Sequence, residues 1–268
     1  MKECLIYFPK YTANRTPTAF GWWLQAAATY GFDAHIAYFE DFGSSRKDIP
    51  DLVIMRGYDR RVSEFYERTG CKVVNTWQSM YTSLNKWHTF QILKSAGIPT
   101  PFTLENVNAI SYESAGEALG FPFVVKQVDG SRGCNVFLVN DINQYKEAIR
   151  ACGRHAIAQK YISDSHGRDI RVWTIGGNAV AAVLRHSSTS FVSNYSQGGQ
   201  AEAYTLNRRV ATLASEAATA IGLDFAGVDI LFDGNDYCVC EVNGNAGFRT
   251  LTAAGGVDIL DVLFKYLK

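Results

Sequence analysis

Over roughly the first 75 residues, short apolar runs alternate with helical patterns, and each change of period marks a new element. Cys4–Phe8 is apolar throughout and stops at Pro-Lys-Tyr-Thr, which predicts a buried strand followed by a loop. Thr18–Tyr30 then places Phe20, Trp23, Leu24, Ala27 and Ala28 at helical spacing, so Trp22 and Trp23 are expected to divide between surface and core. Further strands are predicted at Asp33–Phe39, at the apolar Asp51–Met55 and at Lys72–Asn75, with a helix at Val62–Arg68. Such alternation favours a parallel sheet with crossover helices, and hence an α/β fold class.

The pattern changes at Asn85–Gly97, where Trp87, Phe90, Leu93 and Lys94 lie on a helix that stops at Gly97. Ile98-Pro99-Thr100-Pro101 follows as an extended linker, because a residue before proline is pushed out of the helical region. The two prolines make it the best-marked boundary in the chain. Beyond it, helices are predicted at Tyr112–Leu119, Asn143–Cys152, Leu206–Ile221 and Ile259–Tyr266, and strands at Phe123–Gln127, Asn135–Val139 and Ala156–Ile162. Asp169–Ile175 and Ala179–Arg185 form a hairpin around Gly176-Gly177-Asn178, and Ala226–Phe232 and Tyr237–Val242 form another around Asp233–Asp236. Between the hairpins, Ser187–Gln200 reads as a polar loop.

Composition narrows the classes. With 268 residues, 47% apolar and 19% charged, the chain can bury a sizeable core and is not a disordered segment. Lysine plus arginine number 26, as do aspartate plus glutamate, so the net charge is zero and nucleic acid is not an expected partner. Six cysteines without a C-x-x-C pair read as reduced thiols in a cytoplasmic protein. No apolar run approaches the ~18 residues of a membrane helix, and the Leu5–Phe8 run is too short for a signal peptide, so no membrane partner is expected.

Two places carry candidate chemistry. In F-V-V-K-Q-V-D-G-S-R-G-C-N-V-F-L-V, Lys126 precedes a turn containing Gly130, Ser131 and Gly133. Backbone N–H groups in such a turn can lie over phosphate oxygens beside a compact ammonium charge; the alternative is a hairpin whose glycines serve only the turn. In the second hairpin, Glu241 and Asn243 lie two apart on one strand face, and Asp229 returns beside them. Three hard oxygen donors on a rigid sheet suit Mg²⁺; the alternative is a solvated polar face. Carboxylates inside F-A-G-V-D-I-L-F and Y-C-V-C-E-V weaken that alternative, because burying an unpaired charge is costly. The scattered histidines, including His166, do not suggest zinc, and Cys134 reads as small-residue packing beside the loop.

The runs N-K-W-H-T-F-Q-I-L-K-S-A-G-I-P-T-P, V-V-K-Q-V-D-G-S-R-G, A-Q-K-Y-I, D-I-R-V, S-N-Y-S-Q-G-G, A-G-V-D-I-L and C-E-V-N-G-N-A-G-F resemble, in order and spacing, the ATP-grasp superfamily in its RimK-like, ribosomal-protein glutamate ligase branch. The resemblance runs from about Val74 to Leu267. It implies an ATP-grasp fold behind an N-terminal parallel α/β domain, divided at 1–84, 85–162 (with the glycine-rich phosphate loop) and 163–268 (with the Mg²⁺ site). It also implies an ATP-dependent carboxylate–amine ligase that forms an amide through an acyl phosphate and releases ADP and phosphate. An ATP-grasp phosphotransferase and a nucleotide-binding module without turnover are the alternatives. The implied cofactors are ATP and Mg²⁺, with Mn²⁺ as a substitute. The implied partners are an amine acceptor and a small-molecule, amino-acid or peptide substrate with a carboxylate; a homo-oligomer stays open.

By the same resemblance, Lys86 and Lys126 match nucleotide-contacting lysines, and the Gly130–Ser131–Gly133 loop closes over the phosphates. Lys160 and Tyr161 match the hinge whose backbone reads adenine, Asp169 a residue at the ribose, and Ser193 and Asn194 part of the nucleotide site. Asp229, Glu241 and Asn243 match the Mg²⁺ ligands, and Arg171 and Arg185 match arginines facing the γ-phosphate and the incoming carboxylate. The chain departs from the branch at Val192, where an arginine is usual, and at Lys160, where glutamate is usual. Outside the resemblance, Arg56 follows Asp51–Met55 at the carboxyl end of a parallel strand, the edge where open α/β sheets bind ligands. It can grip an acid substrate by two parallel hydrogen bonds, or form a surface ion pair with Asp59 or Glu64.

Overall fold

The computed structural model describes residues 1–15, 17–43, 49–130, 133–193 and 199–268. Its first part runs β1 (Lys2–Phe8), α1 (Thr12–Arg15), α2 (Pro17–Thr29), β2 (Phe32–Tyr38), β3 (Leu52–Met55), α3 (Arg60–Arg68) and β4 (Lys72–Val74). The four strands form a parallel sheet in the order β2-β1-β3-β4. Alternation along β1 divides its side chains between two cores. Cys4, Ile6 and Phe8 meet Trp23 and Ala27 of α2, while Leu5 and Tyr7 meet Val62 and Tyr66 of α3. Trp23 is 2% exposed and its neighbour Trp22 47%, the division the helical spacing predicts.

Two helices lead onward, α4 (Trp77–Leu84) and α5 (Lys86–Ser95). The pattern reading lacks α4, because its buried positions are Ser79, Met80, Thr82 and Ser83 and so leave almost no apolar period. Next come β5 (Thr103–Leu104), α6 (Tyr112–Leu119), β6 (Phe123–Gln127), β7 (Val136–Val139), α7 (Ile142–Cys152) and β8 (Ala156–Lys160). Their strands form an antiparallel sheet in the order β5-β8-β6-β7. Phe123, Val125, Val139 and Ala158 face Ala115, Leu119, Tyr145 and Ala148 of the two helices in a core of their own.

The last part comprises β9 (Arg168–Ile175), β10 (Asn178–His186), β11 (Gln200–Ala203), α8 (Arg208–Ile221), β12 (Phe225–Asp233), β13 (Asp236–Asn243), α9 (Arg249–Ala253) and α10 (Ile259–Leu267). Its antiparallel sheet is ordered β11-β10-β9-β12-β13. The expected polar loop therefore ends in a short edge strand, whose Q-A-E-A composition hides it from a period-two reading. One face of this sheet takes Val210, Leu213, Ala214, Ala217 and Ile221 of α8. On the other face Trp173, Val183 and Phe225 share a core with Trp23 and Phe32 of the first part and with Leu263 and Phe264 of α10. The N-terminal sheet is thus tied to the C-terminal one by a common apolar layer.

Phe264 is fully buried, with its ring 6.1 Å from that of Trp23 and 5.7 Å from that of Phe32. Phe264→Ala is expected to cost ~3–5 kcal/mol in urea denaturation, the range for truncating a buried aromatic. A loss under ~1 kcal/mol would show that the layer does not join the two sheets energetically.

Candidate functional site

The antiparallel register builds a charged floor. Asp169 and Arg171 are two apart on β9 and share a face; Asp169 pairs with Arg185 on β10, Arg171 with Asp229 on β12, and Asp229 with Glu241 on β13. Four strands therefore place five ionisable side chains in two adjacent rows on one face of the sheet. Arg171 Nη2 donates to Asp229 Oδ2 at 2.8 Å, and its Nε donates to Oδ1 of the same carboxylate. Arg185 Nε donates to Asp169 Oδ1 at 2.7 Å, its Nη2 donates to Asp169 Oδ2, and the same Nη2 lies 3.0 Å from Asp229 Oδ1. Gly227 makes room, since a Cβ there would lie 2.8 Å from Arg171 Nη1. Burial alone would push the Asp229 carboxyl up; Arg171 and then Arg185 outweigh it and hold it below its ordinary value. For Asp169, burial prevails over Arg185 and the carboxyl is raised.

Above this floor lies a cleft between the middle and last sheets. Among its lining residues are Lys86, Lys126, Asp169, Asp229 and Glu241 with apolar walls from Val124, Ile162 and Leu231. Lys126, 5% exposed in β6, donates to Gln159 Oε1 at 2.7 Å, and its ammonium lies 3.8 Å from Cys240 Sγ. Lys86 is the first residue of α5; its ammonium donates to Gly130 O and stands 4.0 Å from Glu241 Oε1. Cys240 and Glu241 are consecutive yet both reach the cleft. The cause is a bulge in β13: Asp229 pairs with Glu241 but Ile230 with Val239, leaving Cys240 as the extra residue.

The structure brings Lys86, Lys126, Gly130, Gly133, Lys160, Tyr161, Asp169, Ser193, Asp229 and Glu241 around one cleft. Arg171, Arg185 and Asn243 are not among its lining residues; the arginines lie beneath it, and Asn243 Oδ1 accepts from Asn245 N at 2.9 Å. Ser131 and Asn194 fall outside the described residues. Among the described residues no group of three or more His, Cys, Asp or Glu side chains is arranged to hold a metal. Arg56 does not form the surface ion pair. Asp59 is taken by Arg61 at 2.9 Å, and Glu64 by Arg60 and Arg68, at 2.6 and 2.8 Å. Arg56 instead turns inward, donates from Nη2 to Ala246 O at 2.9 Å and lies over the rings of Trp23 and Phe225. Burial lowers it to about 10.

Sequence reasoning missed Gln159, which accepts from Lys126 and donates to Thr103 Oγ1 at 2.9 Å, and Arg168, which also lines the cleft. The signal for Gln159 was present as a single amide inside the apolar strand A-I-A-Q-K.

Residues 83–267 match the family model of the RimK-like ATP-grasp domain. The chain is 33% identical over 225 residues to beta-citrylglutamate synthase B of Homo sapiens, covering 81% of this chain and 58% of that protein. It is 31% identical over 219 residues to a probable alpha-L-glutamate ligase of Sodalis glossinidius (strain morsitans), covering 79% of this chain and 73% of the relative. In fold, the D-alanine–D-alanine ligase from Bacillus anthracis complexed with ATP aligns with a TM-score of 0.76 at 19% identity, over 99% of this chain and 97% of that one. The chain spans less than two thirds of the length of the human synthase.

Asp229→Asn leaves two guanidinium groups buried with one carboxylate and should cost ~3–5 kcal/mol near neutral pH. Because Asp229 is depressed in the folded state, its stabilisation is present above the ordinary carboxylate range and lost as pH falls through its folded value. Denaturation of both proteins from about pH 7 to about pH 2 should therefore show the gap between them closing on acidification. A gap that stays constant with pH would remove the charge of Asp229 from the account.

Proposed function

The chain belongs to the RimK-like ATP-grasp family, and on that footing we propose that it is an ATP-dependent ligase joining a carboxylate to an amine. The observation that carries the reading is the convergence of Lys86, Lys126 and Glu241 in one cleft over a floor of paired arginines and aspartates. The proposed units are 1–84, 85–162 and 163–268, a division supported by the three separate sheets.

The cleft fits a nucleotide triphosphate. Its walls combine apolar and cationic groups, and both lysines reach it. In this reading Lys86 and Lys126 take the phosphate charge, Lys160 and Tyr161 offer hinge backbone groups to the base, and Asp169 stands near the ribose. Gly130 and Gly133 line the cleft beside the phosphates. The donor set also fits Mg²⁺: Glu241, Asn243 and Asp229 are hard oxygen donors on adjoining strands, and they would hold the ion. When bound, the ion would offset negative charge on the transferred phosphoryl group.

The substrate carboxylate oxygen bonds to the γ-phosphorus as the bond to ADP breaks. The amine nitrogen then bonds to the acyl carbon as phosphate leaves, and the nitrogen gives up a proton. Arg171 and Arg185 support this exchange by fixing Asp229 and Asp169 at the floor, in a setting where charge is less screened than in water. Arg56 Nη2 bonds Ala246 O, and in this reading its guanidinium also meets the acid substrate at the carboxyl end of β3.

Incubation with ATP, Mg²⁺, a panel of carboxylic acids and hydroxylamine should yield a hydroxamate with one acid class, together with ADP and phosphate. AMP and pyrophosphate would rule out the acyl-phosphate route, and a stable phosphorylated product without hydroxamate would point to a phosphotransferase. Once the acid is known, Arg56→Lys should lower kcat/KM for it by ~1.5–3 kcal/mol with the KM for ATP little changed. An unchanged kcat/KM would remove Arg56 from the acid site.

A further inference from the structure

We propose that Asn75, at the end of β4 in the N-terminal sheet, is a positioning residue for Asn243; the inference rests on the reading of Asn243 as a metal ligand. Asn75 is 2% exposed and uses every polar group of its amide. Its Nδ2 donates to Phe225 O at 2.7 Å and to Gly244 O at 2.8 Å, and its Oδ1 accepts from Phe225 N at 3.0 Å. This two-way pairing with both backbone groups of one residue imitates a strand neighbour. The last ladder pair between β12 and β13 is Gly227 with Asn243, so Phe225 lies beyond the end of β13. The Asn75 amide stands where Asn245 would face Phe225 if the ladder ran on, and its second N–H holds Gly244, the first residue past the proposed ligand.

The backbone that follows is held in the same manner. Gly244 N donates to Ser83 Oγ at 3.3 Å, and Arg56 and Trp173 donate to Ala246 O and Gly247 O at 2.9 and 3.1 Å. A Cβ on Gly244 would come within 2.8 Å of Leu223 and Met80, so the segment lies tight against its supports. The consequence reaches Asn243 through its side chain. Asn243 Oδ1 accepts from Asn245 N, and the backbone on either side of Asn245 is fixed by Asn75 and Arg56. The direction of the Asn243 amide is therefore set from the N-terminal sheet, not by β13 alone.

The test is Mn²⁺ binding, followed by electron paramagnetic resonance in the presence of the non-hydrolysable analogue AMPPNP, with AMPPNP affinity measured separately without metal. Asn75→Ala should weaken Mn²⁺ at least about tenfold, the scale for losing an outer support of a metal ligand, while metal-free AMPPNP affinity stays within about threefold. Leu119→Ala, a truncation in the separate core of the middle sheet, is the stability control and should leave Mn²⁺ affinity intact. Wild-type Mn²⁺ affinity in Asn75→Ala, or an equal loss in Leu119→Ala, would overturn the positioning role. Glu241→Gln separates the two levels: unchanged Mn²⁺ affinity in that variant means the metal reading itself has failed. Should Asn75→Ala not fold, Ser83→Ala decides. A measurable loss of Mn²⁺ affinity there supports the role, and none overturns it.

Discussion

Two arginines and two aspartates buried on one face of a sheet are the constraint the rest of the molecule satisfies. Taking four charges out of water is expensive, and the cost is offset only if each finds its partner in good geometry. Arg171, Arg185, Asp169 and Asp229 do so as an alternating chain, in which Arg185 bridges both carboxylates. That chain exists only when β9, β10 and β12 are adjacent and in register, because a slip of one residue would send each side chain to the apolar face. The charges therefore specify the strand pairing as well as the floor of the cleft.

The opposite constraint is apolar. Trp173, Val183 and Phe225 of the last sheet lie in the same core as Trp23 and Phe264. This brings the carboxyl ends of the parallel strands against the segment that follows β13. Arg56 and Asn75 leave the ends of β3 and β4 and reach that segment directly. A sheet distant in sequence thus holds the backbone beside Glu241 and Asn243.

Much of this architecture was legible because apolar periodicity and glycine turns mark it. β6 and the span of α6 follow from pattern alone, as do both hairpins of the last sheet. Lys126 and Asp229 stood out because a charge in an apolar strand needs a reason. What escaped was written in small polar residues. α4 buries serine and threonine, β11 alternates only alanine with polar side chains, and Asn75 reads only as the polar last residue of a predicted strand. Asn75 and Ser83 of α4 matter through contacts across 150 residues or more of chain, and neither propensity nor spacing encodes a partner at that separation. The partnering of Arg171 and Arg185 was hidden for the same reason. Each arginine was legible as a cation near the site, but its carboxylate became visible only through strand register.

The middle sheet differs from the other two in having an apolar core that shares no residue with theirs among the described residues. It touches the cleft's far wall through polar contacts such as Lys86 N to Val128 O, at 2.9 Å, and Lys126 to Cys240. Seen as a mechanism in the engineer's sense, it is a jaw on a polar bearing. Swinging it leaves its own core intact, so opening works chiefly against the contacts across the cleft and not against the stability of the whole chain. Native-state hydrogen exchange would then find two cooperative blocks, with amides of the jaw opening independently of those in the anvil formed by the outer sheets. The tempo of entry and release would follow the bearing's polar contacts, not the strength of either core.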